Sequence, residues 1–313
     1  MTDRSNNQTI AVTGAGGFIG SNLVARLRSD GCTVRAIYGP GDSLAGLQRG
    51  DSVCDMLDRS KLAEVLDGCQ KVVHLAGPPS VARSFQSPSK SALVHTGGTA
   101  TLLEAVQSAG IDRFVYCSSA EVYGQPNTNP VREDSPMNPL SPYGASKAAA
   151  EWIVRAAATA NDFEAFILRP FTVCGPGPGR HSLLHLIVDQ ATNNSTIELM
   201  NLAPVRDYVF IADAVDALAR ACVVDAPQRV SVCNVGTGHG HSVRELAETV
   251  LRVVGRNIPI RETGQRDRPE ALDIHELVAH TDQSHDVLGW TATTPLENGV
   301  RNIVQFEKRE IAA

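Results

Sequence analysis

Apolar and polar positions alternate between two periods through the first half of the chain. Ile10–Thr13 is a short apolar run that ends in glycines, and the spacing of Asn22–Arg28 predicts a helix. The pair then recurs. Thr33–Tyr38 predicts a strand, Lys61–Leu66 a helix, Lys71–Ala76 a buried strand, Ala92–Ser108 a helix and Arg113–Cys117 a strand. Pro142–Thr159 predicts a long Ala-rich helix, with Ser141 as N-cap and Pro142 in its first turn, and Ala165–Arg169 the next strand. Strands alternating with helices at this spacing predict βαβ units, hence an α/β fold with a doubly wound parallel sheet. The texture changes after Pro170. A Pro/Gly loop at Gly175–Gly179 precedes a helix over Ile211–Cys222, a strand over Val230–Val235 and a helix over Ser242–Val254. From Gly255 the pattern weakens, and Arg261, Arg266 and Arg268 appear.

Composition narrows the function classes. With 313 residues, 42% of them hydrophobic, the chain can bury a core of about two domains. A net charge of −6 argues against nucleic acid as the main partner, which needs a basic footprint. The first nine residues lack an apolar stretch, so no signal peptide is expected, and no apolar run approaches the roughly 18 residues of a membrane span. Seven cysteines, an odd number with no C-x-x-C pair, favour reduced thiols in a cytoplasm over disulfides or zinc. His95, His181 and His185 lack metal-like spacing and read as solvated or packed, so no metal is expected.

The glycines between the first strand and helix carry chemistry. Gly14, Gly17 and Gly20 follow a G-x-x-G-x-x-G spacing, which turns the chain tightly, lets backbone N–H groups approach a pyrophosphate and permits close helix–strand packing. This predicts a dinucleotide site. The second strand ends near Tyr38, where an Asp or Glu often holds the adenosine ribose of NAD. Tyr38 is not acidic, and Gly39-Pro40 offers no Arg for a 2′-phosphate. The site leans to NAD mainly by lacking a basic residue, and Asp42 reaches the ribose only if its loop curls back. Asp55-Met56 is a candidate for the adenine edge or, read blandly, a solvated strand end.

Tyr143 and Lys147 stand four apart, on one helix face. A phenol titrates near pH ~10, and a neighbouring ammonium favours its phenolate, so the pair can take a proton from a sugar hydroxyl while hydride leaves the same carbon. Ser119, just past a strand end, can donate to the reacting oxygen.

The ordered set Gly14/Gly17/Gly20, His74-Leu75-Ala76-Gly77, Ser118-Ser119, Tyr143/Lys147, Arg169-Pro170, Arg206-Asp207-Tyr208, Asn234-Val235-Gly236 and Leu288-Gly289-Trp290 spans nearly the whole chain. It resembles the extended short-chain dehydrogenase/reductases, more narrowly the nucleotide-sugar epimerases and dehydratases. The resemblance implies a Rossmann sheet with a smaller, mixed α/β C-terminal substrate domain. Residues 1–170 and 207–254 would form the NAD domain, and 171–206 and 255–313 the nucleotide-sugar domain. It implies a tightly held NAD recycled in each turnover and a catalytic set of Ser119, Glu121, Tyr143 and Lys147. Cofactor contacts are implied at Gly14, Gly17, Phe18, Ile19, Gly20, Asp55, Met56, Leu75, Ala76, Gly77, Ser118, Tyr143, Lys147 and Pro170. Substrate contacts are implied at Ser80, Thr172, Arg206 and Arg268, the arginines on the diphosphate. The helices Ala92–Ser108 and Pro142–Thr159 imply a homodimer through a four-helix bundle.

Glu121 discriminates within the family. The 4,6-dehydratases resembled here carry a Glu at this position that removes the C5 proton, and epimerases usually lack it. Ala120 stands where those dehydratases place an Asp that protonates the leaving 6-hydroxyl. A dehydratase giving a 4-keto-6-deoxy or 5,6-unsaturated sugar, like the hexosamine 5,6-dehydratase of the tunicamycin antibiotic pathway, is the first expectation. A UDP-glucose 4-epimerase-like activity is the alternative. Thr172, Cys174 and His95 depart from the usual Asn, Tyr and Asn. A dinucleotide-sensing regulator is the non-enzyme alternative, against which the intact Tyr143 and Lys147 count.

Overall fold

The computed structural model describes residues 8–44, 46–177, 182–264 and 272–312, with side chains as far as Arg309. Strand β1 (Thr9–Thr13) runs into the glycine turn, and helix α1 (Phe18–Ser29) follows at once. It starts at Phe18 rather than Asn22 because Gly17 serves as its N-cap, with no capping side chain. The chain continues through β2 (Thr33–Tyr38), β3 (Ser52–Val53), α2 (Arg59–Leu66) and β4 (Lys71–His74). Then come α3 (Val81–Gln86), α4 (Pro88–Ala92), α5 (Gly98–Ala109), β5 (Arg113–Cys117), α6 (Pro142–Asn161) and β6 (Glu164–Pro170). The Ser141 hydroxyl accepts the Gly144 N–H at 3.0 Å and Pro142 opens α6, the expected helix start.

Two further expectations needed revision. β4 stops at His74, not Ala76, because the Leu75 and Ala76 N–H groups turn to the Thr13 hydroxyl, at 3.2 and 3.3 Å. The helix expected over Ala92–Ser108 is broken by a π-helical turn at Leu93–Gly97, between α4 and α5. There His95 is buried, and its carbonyl oxygen accepts the Thr99 hydroxyl at 2.5 Å. Such turns cluster at functional sites.

The second half supplies β7 (Thr172–Cys174), α7 (Leu183–Asn193), β8 (Ile197–Leu199), β9 (Val205–Phe210), α8 (Ile211–Ala221) and β10 (Val230–Val235). It ends with β11 (Gly240–Ser242), α9 (Val243–Val254), β12 (Ile260–Glu262), β13 (Glu276–Leu277), α10 (Asp282–Leu288) and α11 (Leu296–Ala312). The main sheet has seven parallel strands in the order β10-β6-β5-β4-β1-β2-β3. The winding reverses between β1 and β4, and ligands of doubly wound sheets bind outside the carboxyl ends of the strands at such a reversal. Helices α2, α5 and α6 cover one face, and α1 and α8 the other. A smaller mixed sheet is centred on β9, which pairs with β7 and β13 in parallel and β11 antiparallel. β8 and β12 form a parallel pair. Within 207–254, α8 packs on α1 and β10 joins the main sheet, whereas β11 pairs with β9 and α9 packs on α7 and α11. One continuous apolar core runs from Leu23 and Leu27 of α1 to Ile187 of α7, Leu246 of α9 and Ile303 of α11.

Candidate active site

The glycine turn is a cradle only glycines can form. Gly14 has φ +69°, and a Cβ there would lie 2.8 Å from the Ala76 nitrogen. A Cβ at Gly20 would collide with the Gly14 carbonyl oxygen, and one at Gly17 would sit 3.2 Å from it. The first-turn N–H groups of α1 therefore face outward, uncapped by any side chain, beside the β1–β4 reversal, and suit a pyrophosphate. The loop after β2 does curl back. Asp42 accepts the Gly39 N–H at 2.8 Å, and its carboxylate lies against Gly16.

The floor is pinned by a directional chain of hydrogen bonds. The Thr99 hydroxyl donates to the His95 carbonyl, so it accepts from Nε2–H of His74 at 3.0 Å. His74 Nδ1 is then an acceptor for the Thr13 hydroxyl at 2.7 Å, and Thr13 in turn accepts from Leu75 and Ala76. His74 is wholly buried, and burial with the nearby Lys147 charge drives its pKa well down, so it stays neutral.

Above β5 the chain turns at Ser119, whose hydroxyl caps a 3-10 turn over Ala120–Val122 and accepts the Glu121 N–H at 3.2 Å. The start of α6 lies directly on this turn, since a Cβ at Gly144 would sit 2.6 Å from the Glu121 carbonyl oxygen. Ser84 of α3 accepts the Tyr143 N–H at 3.1 Å and fixes it from the other side. Tyr143 is thereby brought to Ser119, which hydrogen-bonds its hydroxyl, and to Glu121, whose charge reaches it. Burial pushes the phenol up, the Glu121 charge adds to this, and the Ser119 bond opposes it. Lys147 lies one turn along the same helix, with its ammonium fixed by two groups of β5. It donates to the Cys117 carbonyl at 2.8 Å and lies 4.9 Å above the Tyr116 ring. Burial lowers the Lys147 pKa, while the Glu151 charge works to raise it.

Beneath lies a buried ion pair. Glu151, one turn beyond Lys147, takes Nε and Nη2 of Arg169 at 2.9 and 2.7 Å, with neither residue more than 1% exposed. Arg169 also donates to the Tyr123 hydroxyl and the Glu133 carbonyl. Ser118 donates to Glu151 at 2.5 Å, so its hydroxyl faces the core and not the cofactor groove. Among the described residues no cluster of His, Cys, Asp and Glu is arranged to hold a metal.

The NAD dependent epimerase/dehydratase family model matches residues 10–236. The chain belongs to this family. Its cofactor is therefore NAD, and the glycine cradle fits that group. The chain is 33% identical to the UDP-glucose 4-epimerase of Streptomyces lividans over 299 residues, covering 89% of this chain and 90% of that one. In three dimensions it is similar to MoeE5, solved with UDP-glucuronic acid and NAD, with TM-score 0.86, 30% identity and coverage of 96% and 99%. It is also similar to TunA, an NAD-dependent NDP-hexosamine 5,6-dehydratase of tunicamycin biosynthesis, with TM-score 0.84, 28% identity and coverage of 97% and 98%.

The remaining expected contacts of this epimerase/dehydratase are unevenly assembled. Met56 is buried against Gly98, whereas the exposed Asp55 carboxylate accepts the Leu57 N–H. Phe18 reaches the loop after β7, 3.4 Å from a Cβ position at Gly175. Pro170 closes β6 opposite Val235. Ser80 caps α3, Thr172 is exposed on β7, and Arg206 on β9 donates to its own strand at the Val205 carbonyl. Arg268 and His181 lie outside the described residues. His95 and His185 are packed. Sequence reasoning missed Tyr116, Thr13, Thr99 and Glu151. Each is an ordinary strand or helix residue whose role depends on a partner far along the chain.

Proposed function

We propose that the chain is a cytoplasmic nucleotide-sugar dehydratase that oxidises C4 transiently, removes the C5 proton and expels the 6-hydroxyl. The observation that carries this reading is the Glu121 carboxylate, seated on the turn that touches α6 and near enough to Tyr143 for its charge to act there. The glycine cradle of Gly14, Gly17 and Gly20 would hold NAD, which would supply the hydride acceptor and donor. Tyr143 accepts the C4 hydroxyl proton, and Ser119 donates to the same oxygen as it becomes a carbonyl. The C4 ketone makes the C5 proton acidic. Glu121 takes it, and with Ala120 in place of a second acid, Glu121 itself hands that proton to the departing O6, which leaves as water. Return of the hydride to C6, with a solvent proton at C5, gives a 4-keto-6-deoxy sugar, whereas its return to C4, with Tyr143 giving its proton back to O4, gives a 5,6-unsaturated sugar.

The relative from Streptomyces lividans favours a second reading, 4-epimerisation, in which Glu121 is only a polar strand-end residue. A panel of UDP-, dTDP- and GDP-hexoses incubated in D₂O separates them. Dehydration gives a product lighter by one water, and Glu121→Gln abolishes that loss. A product of unchanged mass without deuterium at C5 overturns the dehydratase.

The free thiols suit a reducing compartment, and no described helix is long and apolar enough to cross a membrane. We further propose a homodimer through α5 and α6, near which Trp152 and Leu93 are 61% and 54% exposed.

A further inference from the structure

Helix α6 meets the end of β5 through three successive rungs. Tyr143, Lys147 and Glu151 stand four residues apart and share one face of the helix. Tyr143 reaches the Ser119 hydroxyl, Lys147 donates to the Cys117 carbonyl at 2.8 Å, and Glu151 accepts the Ser118 hydroxyl at 2.5 Å. One helix face thus grips three consecutive residues. The Ser119 and Cys117 grips hold the catalytic pair directly. The Ser118 grip touches no group that meets the sugar.

That third grip is also the most firmly built. Ser118 and Glu151 are both buried, and a hydrogen bond to an ionised carboxylate is about twice as strong as one between neutral groups. The Ser118 N–H donates to the Leu168 carbonyl of β6 at 2.7 Å, so the residue is held from two directions. Glu151 cannot swing away, because Nε and Nη2 of Arg169 take both of its oxygens. Arg169 also donates to the Tyr123 hydroxyl at 2.8 Å, beyond the 3-10 turn. One ion pair therefore ties both ends of the segment from Ser118 to Tyr123 to α6. Ser118 carries the Cys117 carbonyl on one side and the Ser119 hydroxyl on the other.

We propose that Ser118, clamped by Glu151, is a positioning residue that keeps Tyr143 on the Ser119 hydroxyl and Lys147 on the Cys117 carbonyl at the same time. Taking the C4 hydroxyl proton requires Tyr143 and Ser119 to meet one oxygen together, and a misplacement of about 1 Å in such a site costs about 100-fold in rate. The inference rests on C4 oxidation by Tyr143 and Ser119, which dehydration and epimerisation share, and not on which of them follows.

The test is Ser118→Ala in the NAD-loaded protein. Glu151 stays paired with Arg169 in this variant, so no buried charge is orphaned. The substrate is whichever UDP-, dTDP- or GDP-hexose the wild type converts fastest, and chromatography of the sugar nucleotide registers dehydrated and epimerised products alike. Turnover is counted per retained NAD, so unfolded protein does not enter it. Ser118→Ala should lower kcat by about 10- to 100-fold, with KM and retained NAD within about twofold of the wild type. Ser118→Thr, which keeps the hydroxyl, should return kcat to within about fivefold. A Ser118→Ala kcat within about twofold of the wild type overturns the proposal, as does a Ser118→Thr as slow as Ser118→Ala. A loss that appears in KM or in retained NAD marks Ser118 as a binding contact and overturns it too. A wild type that converts none of the hexose nucleotides overturns the C4 oxidation itself, and this inference with it.

Discussion

The Lys147 ammonium rests 4.9 Å above the Tyr116 ring while donating to the carbonyl of Cys117, the next residue along the same strand. One strand end thus grips the cation from two sides. A desolvated cation–π contact is worth about 2 kcal/mol. Tyr116→Leu should lower kcat by about 30-fold with KM little changed, and Tyr116→Phe should stay within about threefold. The loss of the ring should also move the alkaline limb of the pH–rate profile downward, since burial already depresses the Lys147 pKa.

Glu151 and Arg169 form a pair that is costly to split. Glu151→Leu leaves a guanidinium buried without its counter-charge and should cost about 3–5 kcal/mol in urea unfolding. Pairing it with Arg169→Met should recover a large part of the loss. A double variant no more stable than the single one would count against this account.

Burial, with the nearby Lys147 charge, depresses the His95 pKa to about 3, against the opposing bond of its Nε2–H to the Pro78 carbonyl. The unfolded chain takes up that proton near pH ~6.5. Between the two values the unfolded state binds more protons, so stability falls as pH drops below about 6.5 and levels off near 3. At pH ~5 this histidine alone should cost about 2 kcal/mol. Urea melts at pH 7 and 5 should show a smaller difference in His95→Gln than in the wild type.

The proposed dimer makes Trp152 an interface residue. Sedimentation at micromolar concentration should give a dimer for the wild type and a monomer for Trp152→Asp. A wild-type monomer would remove the proposal.

Much of the site was legible because its residues follow local rules. The glycine turn lies between a strand and a helix, Tyr143 and Lys147 share one helix face, and Ser141-Pro142 marks the start of their helix. What escaped depends on pairings across long separations. Thr13 meets His74, and Glu151 meets Arg169, only after the sheet is assembled. The π-helical turn escaped because periodicity registers a run of apolar positions and not one extra residue within it. The grip of the Cys117 carbonyl on the Lys147 ammonium escaped for the same reason as those long-range pairings, since the two residues lie thirty positions apart.

The apolar core that passes without a break from α1 to α11 has a thermodynamic consequence. Two lobes with separate interiors can melt in succession, whereas lobes that share one interior cannot lose either without exposing the other. Heating should therefore produce a single calorimetric transition whose van't Hoff and measured enthalpies agree per folded unit, despite the interleaved path of the chain.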